Sequence, residues 1–123
     1  MVLRNDICTV TISIDHTYTV ESTDNQPYDI VLNSGHLKHG DMYKVFAIQI
    51  DSYKKIIRIA LIGDYFIYDT DCAVLEGEAL VILQNHSIVQ LDINNGSILL
   101  LKKIDCFGIN FGIYRVKRGY IIY

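Results

Sequence analysis

The stretch Ala47-Ile48-Gln49-Ile50-Asp51 is the clearest fold signal in the sequence, because its alternating pattern ending in Asp returns as Ile88-Val89-Gln90-Leu91-Asp92. The two stretches lie 41 residues apart (47 to 88), and in that register five of the 36 positions that pair 47–82 with 88–123 are identical. The apolar pattern agrees better than the residue identities do. A period of about 40 residues is the length of a four-stranded propeller blade. Residues 47–82 and 88–123 are therefore predicted to be two related β-meanders.

The composition of the 123-residue chain favours strands over helices. Half of the residues are apolar and Ile is the commonest, whereas there are only four Ala and one Pro. β-branched and aromatic side chains fit pleated, half-buried surfaces, and no long window shows the apolar period of a helix. A chain of this length can form a single domain with one core. We predict an all-β domain over residues 1–123, built of antiparallel meanders with about ten short strands.

Strand and turn signals divide the chain into segments. Residues 8–15 alternate between apolar and polar side chains, as a strand with one solvated face does. Asn94-Asn95-Gly96 is the strongest turn signal, because Asn-Gly readily adopts the positive φ angles of a tight hairpin. An N-terminal β segment over residues 1–46 is predicted to precede the two meanders.

The segment Leu91-Asp92-Ile93-Asn94-Asn95-Gly96-Ser97-Ile98 resembles a blade of the quinoprotein-type (PQQ-like) β-propellers. Those blades run apolar strand, Leu-Asp, a short Asn- or Thr-Gly turn and another apolar strand, and the resemblance covers residues 79–104. The chain has no Trp, which those blades use for docking, and two candidate blades where closed propellers use roughly four to eight. The resemblance therefore implies a strand layout only, with no quinone or metal ligand and no cofactor. A partial propeller-like fold, a β-sandwich and a small barrel all stay open.

Charge and apolar patterning restrict the partner and the compartment. The net charge is −3, whereas a general nucleic-acid binder is normally basic. The N-terminus lacks the apolar core of a secretion signal, and the longest apolar runs, such as 98–101, are too short to cross a bilayer. Cys8, Cys72 and Cys106 form no close motif and are expected to be reduced thiols. We expect a cytoplasmic protein that binds neither membranes nor nucleic acid.

One polar loop carries the residue types of a metal or catalytic site. Two imidazoles three residues apart, those of His36 and His39, are followed by the carboxylate of Asp41. Such groups could bind a cation or act as a general base. Lys38 lies between the imidazoles and would repel a cation, and polar loops often contain His. A solvated loop is the better interpretation, with His36, His39 and Asp41 as the candidates for any metal or catalytic role.

Two charged stretches are candidates for partner binding. The acidic stretch contains five carboxylates and no Lys or Arg: Asp64, Asp69, Asp71, Glu76 and Glu78. It could bind a basic protein or a calcium ion, although turn chemistry explains most of these positions. The basic stretch near the C-terminus is interleaved with aromatic residues: Lys102, Lys103, Arg115, Lys117 and Arg118. That composition can bind single-stranded nucleic acid, but the negative net charge argues against it.

The sequence predicts a binding protein and not an enzyme. It contains no P-loop, dinucleotide loop, nucleophile elbow or His-Glu-x-x-His sequence, and its nine Tyr residues suit a recognition surface. We expect a non-enzymatic β-rich module that binds a protein. Three alternatives stay open: an immunity-type inhibitor that masks a basic toxin enzyme, a fragment of a larger β-repeat protein, and an enzyme that uses the loop of His36 and His39.

The last residues, Gly119 to Tyr123, end within an apolar strand pattern. An open strand edge invites pairing with another strand. We expect this strand to pair with the N-terminal strand, with a second copy in a homo-oligomer, or with further blades of a longer protein.

Overall fold

The computed structural model describes residues 1–63, 73–84 and 87–103 in full, and residues 113–116 and 119–122 by their backbone. These residues form no helix, and hence none long and apolar enough to cross a membrane. The all-β prediction is confirmed. The strands in chain order are β1 (Val2–Arg4), β2 (Cys8–Ile14), β3 (Ile30–Leu32), β4 (Lys44–Ser52), β5 (Ile56–Gly63), β6 (Ala73–Glu76), β7 (Ala79–Gln84), β8 (Ser87–Asp92), β9 (Ile98–Lys103), β10 (Ile113–Val116) and β11 (Gly119–Ile122).

The first nine strands form two sheets. The five-stranded sheet has the order β1-β2-β4-β5-β3, and the four-stranded sheet has the order β6-β7-β8-β9. β10 and β11 pair with each other, and the backbone of β10 lies beside β6. The described pairings are antiparallel apart from that of β3 with β5, which is parallel. β3 is parallel to β5 because residues 15–29 cross over the sheet from β2 and bring β3 to the edge beside β5.

The two sheets pack face to face around one hydrophobic core, so the described strands form a β-sandwich. Ile12, Ile48 and Ile59 contribute to this core from the five-stranded sheet, and Leu80 and Val89 from the four-stranded sheet. The inward positions repeat every second residue because side chains alternate between the faces of a strand. Full burial of one such aliphatic side chain contributes about 1.5–3 kcal/mol. Of the three layouts left open by the sequence, the described sheets correspond to the sandwich.

The outer face of the five-stranded sheet is covered by the long connections on either side of β3. Val45, Ala60 and Ile62 point to this side and form a second buried cluster with Val20. Partly buried side chains from the connections pack against them: Tyr18, Tyr28, Leu37 and Tyr43. This packing holds the loop after β3 at one end of the sandwich, where the candidate site lies.

The β4–β5 and β8–β9 hairpins occupy the positions that the 41-residue register pairs (50 with 91, for example). Ile50 and Leu91 both point into the shared core. β4 and β5 belong to the five-stranded sheet, whereas β6 and β7, which complete residues 47–82, belong to the four-stranded sheet. The relation of 47–82 to 88–123 as whole units stays a prediction, because the second unit includes residues outside the described part.

The turn predicted at Asn94-Asn95-Gly96 is present between β8 and β9. Gly96 has a φ of 74° and donates its N–H to the carbonyl of Asp92 at 2.7 Å. A Cβ at Gly96 would lie 2.6 Å from Cδ1 of Ile30. Glycine is therefore required by the backbone angle and by the close approach of this turn to β3.

Candidate binding site

A row of polar side chains ends the core-facing side of the four-stranded sheet. Gln84 of β7 lies opposite Ser87 of β8, and Ser87 lies opposite Lys103 of β9. Residues directly opposite each other in a sheet project from the same face. In the preceding inward row, Ile82 and Val89 are apolar and fully buried. The core therefore changes from apolar to polar at this end of the sandwich.

The facing strand β5 ends at Gly63, and this glycine makes room for the polar row. A Cβ at Gly63 would overlap the side-chain amide of Gln84. A glycine in a strand commonly marks such a close approach. The missing side chain at Gly63 therefore allows the Gln84 amide to lie between the two sheets.

Gln84 is the only polar or charged residue that is buried among those described, with 4% of its surface exposed. Its Oε1 accepts a long hydrogen bond of 3.4 Å from Oγ of Ser87. Its Nε2 is enclosed and has no hydrogen-bond partner in the described part of the chain. A buried donor without a partner costs about 1–3 kcal/mol. Such groups are rare in native structures and often have a functional reason.

A cleft of about 460 Å³ opens beside Gln84 at this end of the sandwich. We call it the end cleft. Its lining is contributed by β5, β7, β8, β9 and the loop after β3: Ser34, Gly35, Leu37, Ile62, Gly63, Gln84, Ser87, Leu101 and Lys103. Lys103 is the charged group of this lining and is exposed. Clefts of this size hold small ligands, and a few polar groups within apolar walls are typical of them.

The outer edge of β9 is the second notable feature, and we call it the β9 edge. Leu99, Leu100 and Leu101 follow one another along it with 54%, 48% and 45% of their surfaces exposed. Lys102 and Lys103, also exposed, complete the strand. Exposed apolar edge strands are templates for pairing with another chain, and proteins usually protect them.

The other described sheet edges are shorter than β9. β1 and β3, at the edges of the five-stranded sheet, have three residues each, and β6 has four, whereas β9 has six. β6 also lies beside β1 and β10. A short edge strand offers few backbone groups for pairing. Within the described strands, β9 is therefore the longest edge available to a partner.

The loop that contains His36, His39 and Asp41 lies after β3, and all three residues are exposed. Oδ2 of Asp41 accepts the N–H of Lys38 at 2.6 Å, so this carboxylate closes a turn. Across the described residues, no group of three or more His, Cys, Asp or Glu side chains is placed to hold a metal ion. Other residues of the same loop line the end cleft.

The acidic stretch is described only in part. Glu76 is half-buried on β6, and Glu78 is exposed in the turn before β7. The other three carboxylates lie outside the described residues: Asp64, Asp69 and Asp71. An acidic partner-binding surface therefore stays a prediction.

The basic stretch and the cysteines are also described in part. Lys102 and Lys103 lie on β9, while Arg115 lies on β10 in a separate hairpin. Cys8 is buried, and burial raises the pKa of its thiol, which disfavours the reactive thiolate. The other two cysteines and the other two residues of the basic stretch lie outside the described residues: Cys72, Cys106, Lys117 and Arg118.

A hydrogen-bonded network centred on Asp15 joins the crossover to the five-stranded sheet. Oδ2 of Asp15 accepts bonds from the Tyr28 hydroxyl at 2.6 Å and from Nε2 of Gln26 at 2.7 Å. Its Oδ1 accepts the N–H and hydroxyl of Thr17. Partial burial alone would raise the pKa of Asp15, but these hydrogen bonds outweigh it and hold the pKa well below its usual range. Arg58 lies 5.3 Å from the centre of the Tyr28 ring, a cation–π distance.

A smaller cleft of about 270 Å³ lies beside the turn after β1 and the turn after β4. Asn5 is its most distinctive polar side chain. The Oδ1 of Asn5 already accepts the backbone N–H groups of Ile7 and Cys8, and its Nδ2 donates to the carbonyl of Gly77. Because this side chain is satisfied within the fold, the end cleft is the stronger candidate site.

Comparison of the chain with known protein families, with characterised proteins and with solved structures gives no match. The end cleft and the β9 edge are therefore the structural features that bear on function. Sequence reasoning missed Gln84 and Gly63. One signal was present, because Gln84 continues the inward period of Leu80 and Ile82 with a polar residue.

Proposed function

We propose that this protein is a non-enzymatic binding module that recognises an extended segment of a protein partner along the β9 edge. The observation that carries the proposal is the run of three exposed leucines on the longest edge of the described sheets. In recognition by strand addition, main-chain hydrogen bonds supply affinity and alternate side chains supply specificity. β9 offers both a main-chain edge and exposed side chains.

The side chains of β9 define the chemistry of the partner. Leu100 and Lys102 lie on the outer face of the sheet, opposite Gln90 and Ile88, whereas Leu101 and Lys103 lie on the core-facing side. On each face of the sheet, a strand added beside β9 would therefore have one leucine and then one lysine as neighbours. Apolar residues opposite the leucines and Asp or Glu opposite the lysines complement both faces. The partner segment is accordingly apolar along one half and acidic along the other.

A titration with a blocked peptide, Thr-Glu-Glu-Val-Val-Val-Thr, tests this proposal. We expect binding that weakens as salt is added, because two lysine–carboxylate contacts at a solvated edge are screened. Two control peptides isolate the contributions: one is N-methylated at alternate amides, and the other carries Lys in place of Glu. Both controls should fail to bind. Equal binding of either control would refute strand addition with this charge pattern.

Two matched variants of the protein locate the contact. Leu100→Ser removes the apolar contact without adding a charge and should weaken binding of the acidic peptide by about tenfold, or about 1.4 kcal/mol. Val31→Ser is the control, because Val31 is 50% exposed on β3, another edge strand. It should leave the affinity unchanged. An equal loss in the two variants would place the peptide elsewhere.

A further inference from the structure

We propose that the end cleft binds a small carboxylate with an apolar tail, held by the side chains of Gln84 and Lys103. This inference goes beyond the protein partner, because it concerns the interior end of the sandwich and not the backbone of β9. The end cleft shares Leu101 and Lys103 with the β9 edge, whereas Ser34, Gln84 and Ser87 belong to the cleft alone, so the two proposals can fail independently.

Among the described lining residues of the end cleft, hydrogen-bond donors dominate the polar part. Nε2 of Gln84 has no partner in the described residues, and the Lys103 ammonium carries three donors. The hydroxyls of Ser34 and Ser87 complete the polar lining, and no Asp or Glu is among the described lining residues. A ligand group that accepts several hydrogen bonds and carries negative charge therefore fits this lining.

Gln84 lies in the wall of the end cleft beside Gly63. The terminal torsion of a Gln side chain has a broad energy well, so the orientation of the amide can adjust to a bound ligand. A Cβ at Gly63 would overlap the amide, so the missing side chain at Gly63 allows Gln84 to occupy this position. Gln84 and Gly63 thus form one unit of the cleft wall, and the donor without a partner belongs to it.

The apolar lining distinguishes a carboxylate with a tail from inorganic phosphate. Leu37, Ile62 and Leu101 supply apolar surface beside the donors. A phosphate ion would leave that surface without a contact and would place up to two negative charges beside one lysine. A carboxylate carries one charge, and an alkyl tail of several carbons would cover the apolar wall within the available volume of about 460 Å³.

An NMR titration with hexanoate tests the proposal directly. The expected result is saturable movement of the side-chain NH₂ resonances of Gln84, together with the amides of Ser87 and Lys103. Hexanol, which has the tail and no charge, should bind at least about tenfold more weakly, because it forms no charge-assisted bond. Inorganic phosphate should not compete with hexanoate. The proposal is overturned if hexanol binds as well as hexanoate, if phosphate displaces it, or if the Gln84 NH₂ resonances do not move.

A pair of neighbouring lysines provides the matched variants. Lys103→Gln should raise the dissociation constant for hexanoate about tenfold, whereas Lys102→Gln, on the outer face, should change it less than about twofold. Gln84→Met should also abolish most of the binding. Leu100→Ser, which disrupts the β9 edge, should leave hexanoate binding intact and so separates the two proposals. Equal effects of the two lysine variants, with both proteins folded, would refute the site.

Discussion

Replacement of Gln84 by Met should stabilise the unliganded protein. Met and Gln are both unbranched with three rotatable torsions, so Met fits the space beside Gly63 without a large volume change. The change removes the enclosed Nε2, whose lack of a partner costs about 1–3 kcal/mol. It also removes the hydrogen bond from Ser87, which at 3.4 Å is long and contributes at most about 0.5 kcal/mol. The net expectation is a gain of about 0.5–2.5 kcal/mol.

Urea unfolding measures this gain. With a slope of about 1.5–2 kcal/mol per molar urea, the midpoint of Gln84→Met should rise by about 0.3–1.7 M without a change in slope. Gln49→Met is the matched control, because Gln49 is exposed on β4 and the same residue types are exchanged. Its midpoint should correspond to a change within about 0.5 kcal/mol. A midpoint that falls by about 0.5 M or more in Gln84→Met would show that the amide stabilises the native state, which contradicts an uncompensated donor at the end cleft.

Four further changes have defined outcomes. Gly63→Ala should destabilise the fold by about 1–3 kcal/mol in urea unfolding, because its Cβ displaces the Gln84 amide; an unchanged midpoint would contradict the close approach. Gly96→Ala should lower the free energy of unfolding by a similar amount, because Gly96 has a positive φ and an added Cβ would clash with Ile30. Asp15→Asn should lower stability at pH 7 by about 1–2 kcal/mol, because an amide places donors against the donors of Gln26 and Tyr28. The native pKa of Asp15 is depressed, so its contribution to stability is present above the unfolded-state pKa of about 4 and declines as the pH falls below that value. In that acidic range, the unfolding midpoint of Asp15→Asn should therefore vary less with pH than the midpoint of the unsubstituted protein. An equal variation in the two proteins would contradict this. Tyr28→Phe should destabilise by about 1 kcal/mol, whereas Tyr53→Phe, at an almost fully exposed residue, should have no effect on thermal unfolding.

The fold class was predictable because its signals are local. Period-two alternation identified β2, and Asn94-Asn95-Gly96 identified the β8–β9 turn. The assignment of strands to two sheets was not predictable. It depends on contacts between distant residues, such as the parallel pairing of Ile30 with Ile59 after a long crossover. The same local hairpin pattern is compatible with a propeller blade and with a sandwich.

The candidate site was less predictable than the fold. His36, His39 and Asp41 have reactive side chains, which attract attention in a sequence, but the structure leaves them exposed on a loop. Gln84 is a candidate because its side chain is buried and because Gly63, 21 residues away (84 − 63), has no side chain to exclude it. Neither property is visible in the spacing of residue types.

The exposed leucines of β9 were equally hidden in the sequence. A run of three leucines before two lysines is as compatible with a buried strand as with an open edge. The order of strands decides between these interpretations, because β9 is one of the two edge strands among the four described strands of its sheet. Strand order depends on long-range pairing, which local patterns do not determine.

Isotope-filtered NMR of the complex with the Thr-Glu-Glu-Val-Val-Val-Thr peptide shows whether the β9 edge accepts an acidic–apolar strand. We expect backbone cross-strand contacts between the peptide and Leu99 to Lys103, with slowed amide exchange at the outer edge of β9. Peptide contacts confined to β1 or β3, or an unchanged exchange rate along β9, would contradict it.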